Sequence, residues 1–282
     1  MSAVLAERSL GVGVGWRPQL ALWIDRQPLR FVEVMAEDFW SRPVAPAVEN
    51  LRERGATVAP HSVSLSLGGA EPVDIAAVER LGGLARRLGS PIVSDHAAFV
   101  RAGGRESGHL LPLPRTQEAL DVLVENIRTA RRHLPVPLAV ENIATLFEWP
   151  GAEMDEATFL REAITRSGAM LLLDVANLHA NALNHGWDSH AFLDGMPLDR
   201  LAYVHIAGGV EHDGFYHDTH AHPVPEGPLE LLTDLCSRVE PPAVLLERDE
   251  GFPRTEETAE EYAAIARAVS RGNAIREGDR VR

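Results

Sequence analysis

The sequence has no lysine and a single cysteine, Cys236, among its 282 residues. One cysteine excludes an internal disulfide and is typical of a protein from a reducing cytoplasm. No apolar run approaches the roughly 18 residues that a membrane-spanning helix needs. The first residues also lack the basic region and apolar stretch of a secretory signal peptide. The sequence therefore predicts a cytoplasmic protein without a membrane span.

Basic residues are scarce, because 27 arginines stand against 41 aspartates and glutamates and give a formal net charge of -14. Such a chain repels the phosphates of nucleic acids, and no arginine-rich stripe is long enough to make a local exception. The sequence therefore argues against a nucleic-acid partner. The one basic cluster of note lies at about residues 271–282, where we expect a flexible tail.

Two nucleotide-binding signatures are also missing from the sequence. Neither a GxGxxG segment that opens a helix nor a Walker phosphate loop is present. The glycines of 11–16 do not have phosphate-binding spacing, so we expect them to be structural.

Short apolar runs alternate with segments that have apolar residues at helical spacing, as in 75–88, 116–134, 155–168 and 258–269. This alternation predicts a parallel sheet, and eight repeats without a linker favour a closed (β/α)8 TIM barrel. We expect residues 1–282 to form a single barrel domain. The predicted strands are 11–16, 31–37, 56–62, 91–97, 136–142, 169–177, 200–208 and 242–249.

Polar side chains stand near the ends of six predicted strands, and three more follow in the loops. The carboxyl ends of barrel strands converge on one mouth, so these scattered residues are expected to meet there. Taken singly, each is more often a core histidine, a helix cap or a solvated loop residue; their shared position favours a site. The candidates are His61, His96, Glu141, Asp174, His205 and Glu247 at strand ends, with Asn177, Asp218 and His220 from loops.

This set is larger than one metal ion can use, since zinc takes four ligands and octahedral ions take six, waters included. Two or three ions that share bridging carboxylates would use all of it. Glu141 ends a central, otherwise apolar strand, where an unpaired carboxylate is costly. We therefore predict that Glu141 bridges metal ions.

Nine segments in order resemble one known family, the multinuclear non-haem iron-dependent oxidative enzymes. The family includes the iron enzymes of methanobactin and thiaglutamate biosynthesis. The resemblance extends from about residue 10 to about residue 255. The segments are GVGVGWRP, FVEVMAEDFW, PHSVSLSLGG, SDHAAF, AVENIATLF, LLLDVANLHANALNHGWD, VHIAGG, DTHAHPVP and LLERD.

The resemblance implies how the ligands divide, because the family is similar in ligand layout to trinuclear zinc barrels of the endonuclease IV type and to xylose isomerase-like barrels. Glu141, Asp174 and His205 are the candidate catalytic residues. The implied metal sites are His61, His96 and Glu141; Glu141, Asp174, His205 and Glu247; and Asn177, Asp218 and His220.

The resemblance also implies an activity: oxidative modification of cysteine residues in a ribosomally synthesised precursor peptide. Two or three iron ions in mixed Fe(II)/Fe(III) states would use O2 as co-substrate, with a ferric ion holding the cysteine thiolate. Family members often work with a separate protein that binds the leader part of the peptide, and we expect such a partner here.

The alternatives are a trinuclear zinc phosphodiesterase or endonuclease, a sugar isomerase or epimerase, and a metal-loaded scaffold without activity. The net charge of -14 argues against DNA, and the absence of lysine argues against assisted sugar ring opening. Zinc nucleases of this layout have a histidine where this chain has Asn177. His179 stands where relatives have an aromatic residue, and Asp38 where they have asparagine, which leaves the substrate pocket undetermined.

Overall fold

A computed structural model describes residues 9–280. Eight parallel strands close a barrel in the order β1-β2-β3-β4-β7-β8-β9-β12, and each predicted strand range contains one of them. The (β/α)8 prediction is therefore confirmed. The strands are β1 (Val12–Gly15), β2 (Phe31–Met35), β3 (Thr57–His61), β4 (Val93–His96), β5 (Phe99–Ala102), β6 (Arg105–Leu111), β7 (Leu138–Glu141), β8 (Met170–Asp174), β9 (Leu201–Ile206), β10 (Val210–His212), β11 (Phe215–His217) and β12 (Val244–Leu246).

The helices surround the barrel, and five of them begin at a polar residue whose side chain accepts a hydrogen bond from a backbone N–H of the first turn: Asp74, Thr116, Asp155, Asp174 and Asp188. Gly168 ends the helix that follows Asp155 and has the left-handed conformation. Short 3-10 turns lie at Pro18–Leu20, Ala36–Phe39 and Leu198–Arg200. The helices are α1 (Ala21–Asp25), α2 (Pro46–Glu53), α3 (Ile75–Leu88), α4 (Gln117–His133), α5 (Glu156–Ser167), α6 (Val175–His185), α7 (Ser189–Gly195), α8 (Glu226–Arg238) and α9 (Thr255–Arg280).

The alternation of side chains along each strand divides the core into two layers. Outward residues such as Val32 and Val34 pack against the helices, whereas Phe31, Ala59 and Leu172 belong to a smaller cluster inside the barrel. The next inward positions, nearer the mouth, are polar. Strand periodicity thus fills the lower barrel with apolar groups and the mouth with ligands.

Gly13 of β1 has a structural role, as predicted for the glycines of 11–16. A Cβ at this position would lie 2.4 Å from the backbone oxygen of Phe31. Only glycine lets β1 and β2 approach in this way.

Two antiparallel hairpins that the sequence patterns did not predict extend from the mouth. β5 and β6 form one after β4, and β10 and β11 form the other after β9. Their strands are short and do not alternate regularly between polar and apolar residues, so the sequence pattern did not indicate them. They form two walls of the cavity over the barrel.

The chain end differs from the expected flexible tail. Residues 271–280 continue α9, and Arg276 is buried with its guanidinium donating to the Cys236 carbonyl at 3.0 Å. Packing of α9 on α8 therefore holds this segment. Two segments lie outside the described residues: 281–282, and 1–8, where the sequence predicted no signal peptide. Within 9–280, no helix combines the length and apolarity that crossing a membrane needs.

Candidate metal centre

The strand register places the predicted side chains at one level of the barrel. His96 pairs with Glu141 across β4 and β7, and Asp174 pairs with His205 across β8 and β9. All four point inward because they share the alternation of the apolar residues below them. Glu247 follows β12 directly, and its backbone donates to the Ile206 carbonyl at 3.0 Å.

Glu141 lies at the centre of the first two ligand groups. Its Oε2 is 3.6 Å from Nε2 of His61 and 3.3 Å from Nε2 of His96. Its Oε1 is 3.0 Å from Nδ1 of His205, and that nitrogen is 3.1 Å from Glu247. The two oxygens of one carboxylate thus face two different sets of ligands, as a bridge requires.

The third group contains two loop residues and also Asp174, which the sequence analysis had assigned to the second group alone. Asp174, Asp218 and His220 can place ligand atoms within 4.8 Å of one another. Nε2 of His220 is 2.7 Å from Asp218. Asn177, the predicted third member, lies in the first turn of α6 and not in a loop, because the helix begins directly after Asp174. It lines the same cavity, and its amide nitrogen donates to the Asn142 carbonyl at 3.0 Å. Asp174 therefore connects the second group to the third.

When no cation is bound, the local electrostatics favour the protonated form of two carboxyl groups and the neutral form of two histidines. Burial raises the pKa of Glu141 to about 8, and burial together with the Asp218 carboxylate raises that of Asp174 to about 7. Burial lowers the pKa of His61 well below its usual value and that of His96 to about 3. Neutral imidazoles are the form that binds metals.

Neighbouring carboxylates favour the protonated form of the other two histidines. Burial by itself lowers the pKa of His205, but the charges of Glu247 and Glu33 raise it well above the usual value. The pKa of His220 is likewise raised despite burial, by Asp218 and Glu247. Both rings occupy positions where a metal ion would replace their acidic proton.

Unpartnered buried atoms show that these residues fit a cation. Among the described residues, four buried atoms of this centre lack a hydrogen-bond partner: Nδ1 of His96, Oε2 of Glu141, Oδ2 of Asp174 and Oδ1 of Asp218. Three of them are carboxylate oxygens, which are expensive to bury without a positive partner. Mixed imidazole and carboxylate donors suit first-row transition metals.

Backbone strain accompanies the third group. His220 has a φ of 51°, in the left-handed region that costs roughly 1–2 kcal/mol for a residue with a Cβ. Its ring contacts carboxylates on both sides, and its carbonyl accepts from the Asp249 backbone at 2.9 Å. Gly208 lets this loop pass β9, because a Cβ there would lie 2.0 Å from the His222 carbonyl oxygen.

Several side chains that contact the candidate ligands or their partners were not among the sequence candidates. Glu33 is buried inside β2 and contacts His205, and Asp249 contacts His220. Arg17 donates to Asp249 from Nε at 2.8 Å. A glutamate at an inward position of an apolar strand is a signal that could have identified Glu33. His179 belongs to none of the three groups, and its ring packs edge-on against Tyr216, with centroids 5.1 Å apart.

A cavity of about 670 Å³ opens above the three groups. One side is formed by 143–147, where Leu146 and Phe147 are about half exposed, at 51% and 44%. The neighbouring Trp149 packs edge-on against Phe147 and donates to the Pro112 carbonyl at 2.7 Å. The second hairpin forms another side with Tyr216. The mouth thus combines an acidic floor with an apolar rim.

Comparison with known proteins identifies the family. RiPP precursor modification enzymes, described as MbnB/TglH/ChrH, match residues 11–270; RiPPs are ribosomally synthesised and post-translationally modified peptides. The chain belongs to this family. The resemblance seen in the nine sequence segments is thereby confirmed.

Two curated relatives carry the name UPF0276 protein. One from Streptomyces avermitilis is 51% identical over 271 residues, which are 93% of this chain and 56% of that protein. This chain thus spans little more than half the length of that relative. One from Caulobacter vibrioides is 37% identical over 264 residues, which cover 92% of this chain and 93% of that protein.

Solved structures resemble the fold at low identity. A D-psicose 3-epimerase has a TM-score of 0.60 at 13% identity, over 94% of this chain and 99% of that one. A xylose isomerase domain protein from Alicyclobacillus acidocaldarius has a TM-score of 0.60 at 15% identity, over 93% and 98%. These likenesses establish a xylose isomerase-like barrel and carry no information on the reaction.

Proposed function

We propose that this chain is an O2-using oxidative enzyme that binds two or three iron ions and modifies cysteine residues of a ribosomally made precursor peptide. The observation that carries the proposal is the convergence of three ligand groups, joined through Glu141 and Asp174, on the floor of one open cavity. Membership of a peptide-modifying family supports the peptide as substrate.

The ligand chemistry supports iron in these groups. His61, His96 and Glu141 would hold one ion, and Glu141, Asp174, His205 and Glu247 a second. When bound, iron with open coordination positions supplies O2 reduction and thiolate binding. The oxidant is O2, and the cysteine side chain is the group oxidised.

The third group would hold its ion most weakly. Asp218 and His220 come from a loop and not from rigid strand ends, and Asn177 adds at most a neutral amide oxygen. Occupancy by two ions is therefore expected first, with the third ion filling at higher metal concentration.

The cavity walls support a peptide over a nucleic acid. Leu146, Phe147 and Trp149 leave large apolar surfaces exposed at one side of the mouth, and exposed apolar patches of this kind mark binding sites. The acidic floor would repel a phosphate backbone. We also propose a separate protein that binds the leader peptide, as family members often use. A cytoplasmic location stays a prediction.

The test is anaerobic reconstitution with ferrous iron, followed by partial oxidation. A coupled Fe(II)/Fe(III) signal in electron paramagnetic resonance is expected. Addition of a short cysteine-containing peptide should then produce a thiolate-to-iron charge-transfer band, whereas the same peptide with serine should not. No band with iron, together with cleavage of abasic DNA or epimerisation of a ketohexose by the metal-loaded protein, would replace this proposal by the hydrolase or isomerase alternative.

A further inference from the structure

A buried carboxylate outside all three ligand groups lies beneath two of them. Glu33 of β2 is 1% exposed. Its Oε2 accepts a hydrogen bond from the Tyr203 hydroxyl at 2.6 Å and lies 3.0 Å from Nε2 of His205. The same hydroxyl is 2.6 Å from Oγ of Ser94, which is 2.8 Å from Nδ1 of His61. A continuous chain of buried hydrogen bonds therefore joins His61 to His205 through Glu33.

The donors and acceptors in this series of hydrogen bonds determine the direction of each bond between Glu33 and His61. Tyr203 donates its single hydroxyl hydrogen to Oε2 of Glu33. The Tyr203 oxygen is then left to accept from Ser94, and the Ser94 oxygen is left to accept from Nδ1–H of His61. The lone pair of His61 therefore belongs to Nε2, which is the atom that faces Glu141.

The Glu33 carboxylate also determines, through a direct hydrogen bond, which nitrogen of His205 is left for an ion. Nε2–H of His205 donates to Glu33, so the nitrogen available for an ion is Nδ1. Nδ1 is the atom that lies 3.0 Å from Glu141 and 3.1 Å from Glu247. In both branches, the nitrogen that is left for a metal ion is thus directed at the ligand groups.

We propose that Glu33 is a positioning residue which, through one carboxylate, determines which nitrogen of His61 and of His205 binds metal. The inference rests on the proposed metal binding of the two groups that these histidines belong to. Ligating histidines are oriented by a partner on the far nitrogen, and loss of that partner typically weakens metal affinity about 10–100-fold. The two branches differ, because only the His61 branch passes through Tyr203.

Histidine ring 15N NMR tests the direction of the chain. In the metal-free protein His61 is neutral, and its proton is expected on Nδ1. With zinc as a diamagnetic probe, the coordination shift is expected at Nε2 of His61 and at Nδ1 of His205. A proton on Nε2 of metal-free His61, or zinc on the opposite nitrogen of either ring, would overturn the inference.

Variants separate the two branches. Tyr203→Phe should weaken zinc binding at the His61 group about 10-fold or more, while zinc stays on Nδ1 of His205; Glu33→Gln should change both. Tyr262→Phe is the matched control, because its hydroxyl bonds the Val12 carbonyl at 2.9 Å, away from the site. Equal zinc binding by Tyr203→Phe and Tyr262→Phe would overturn the proposal.

The proposed function can fail separately from this inference. Wild-type protein that takes up neither zinc nor iron would refute the metal centre. The His61 tautomer is read without metal, so the direction of the hydrogen-bond chain would still be decided by the first measurement.

Discussion

His220 and Asp249 are joined by a contact of 3.0 Å between Nδ1 and Oδ2, although they lie 29 residues apart in different loops. Arg17 donates to the other oxygen of Asp249 from Nε at 2.8 Å and from Nη2 at 2.5 Å. Nε2 of His220 consequently faces Asp218 at 2.7 Å. Asp249 thus orients the His220 imidazole in the third ligand group. Arg17, which lies just after β1, in turn holds Asp249 in place.

Replacement of Asp249 should therefore affect one ion selectively. In Asp249→Ala the zinc affinity of the third group should fall about 10–100-fold, because the His220 ring loses its partner. The first two groups should bind as in wild type. Stepwise zinc titration against a chromophoric chelator measures the three affinities. Asp213→Ala is the control, since it removes the same charge from a side chain that is 88% exposed; equal losses in both variants would contradict an orienting role.

Removal of Glu141 should cost the protein more than one metal ion. Its two oxygens face two ligand groups, so Glu141→Ala deprives both of a ligand. Metal analysis of purified, reconstituted protein should show a loss of more than one ion per chain. Glu247→Ala provides the comparison, because Glu247 belongs to one group and should cost at most one ion. If both variants lose one ion, Glu141 does not bridge.

Metal-free protein should lose stability as the pH rises from about 6.5 to about 8. Burial raises the pKa of Glu141 to about 8 and of Asp174 to about 7. From the unfolded values of about 4 up to these values, the folded state binds protons that the unfolded state has released. The free energy of unfolding therefore decreases as the pH rises. His96, with its pKa lowered to about 3, has the opposite effect, but only below its unfolded value of about 6.5. Thermal unfolding of chelator-treated protein at pH values of about 6.5 and about 8 measures the difference in stability.

Two comparisons check the origin of this pH dependence. Glu141→Gln should reduce the loss of stability, because the amide has no proton to release. The protons must also leave when metal binds, so the zinc affinity of wild type should rise over the same range. Zinc affinity that is independent of pH would show that these carboxyls are already ionised.

Two glycines of α9 test whether the C-terminal segment is packed. A Cβ at Gly272 would lie 2.4 Å from Cβ of Cys236, whereas nothing lies within 4 Å of a Cβ at Gly278. Gly272→Ala should lower the free energy of unfolding by about 1–3 kcal/mol through overpacking. Gly278→Ala should raise it by up to about 1 kcal/mol through helix propensity. Urea denaturation measures both, and equal effects would argue for an unpacked tail.

The sequence by itself determined the barrel and most of the candidate ligands. Strand periodicity fixes which side chains face inward, and the closing of parallel strands brings their carboxyl ends together. His61, His96, Glu141, Asp174 and His205 occupy the last inward positions of their strands, so local pattern was sufficient to find them. The polar hairpins carried no such pattern and were missed.

Tertiary structure alone decided how the ligands are grouped and what orients them. Glu33 and Tyr203 are 170 residues apart, and Arg17 and Asp249 are 232 apart. No periodicity relates such positions, because their contact depends on barrel closure and on the path of each loop. Asp174 joins the third group for the same reason. Inward direction is a local property of a strand, whereas the partner that a side chain meets inside depends on every other strand of the barrel.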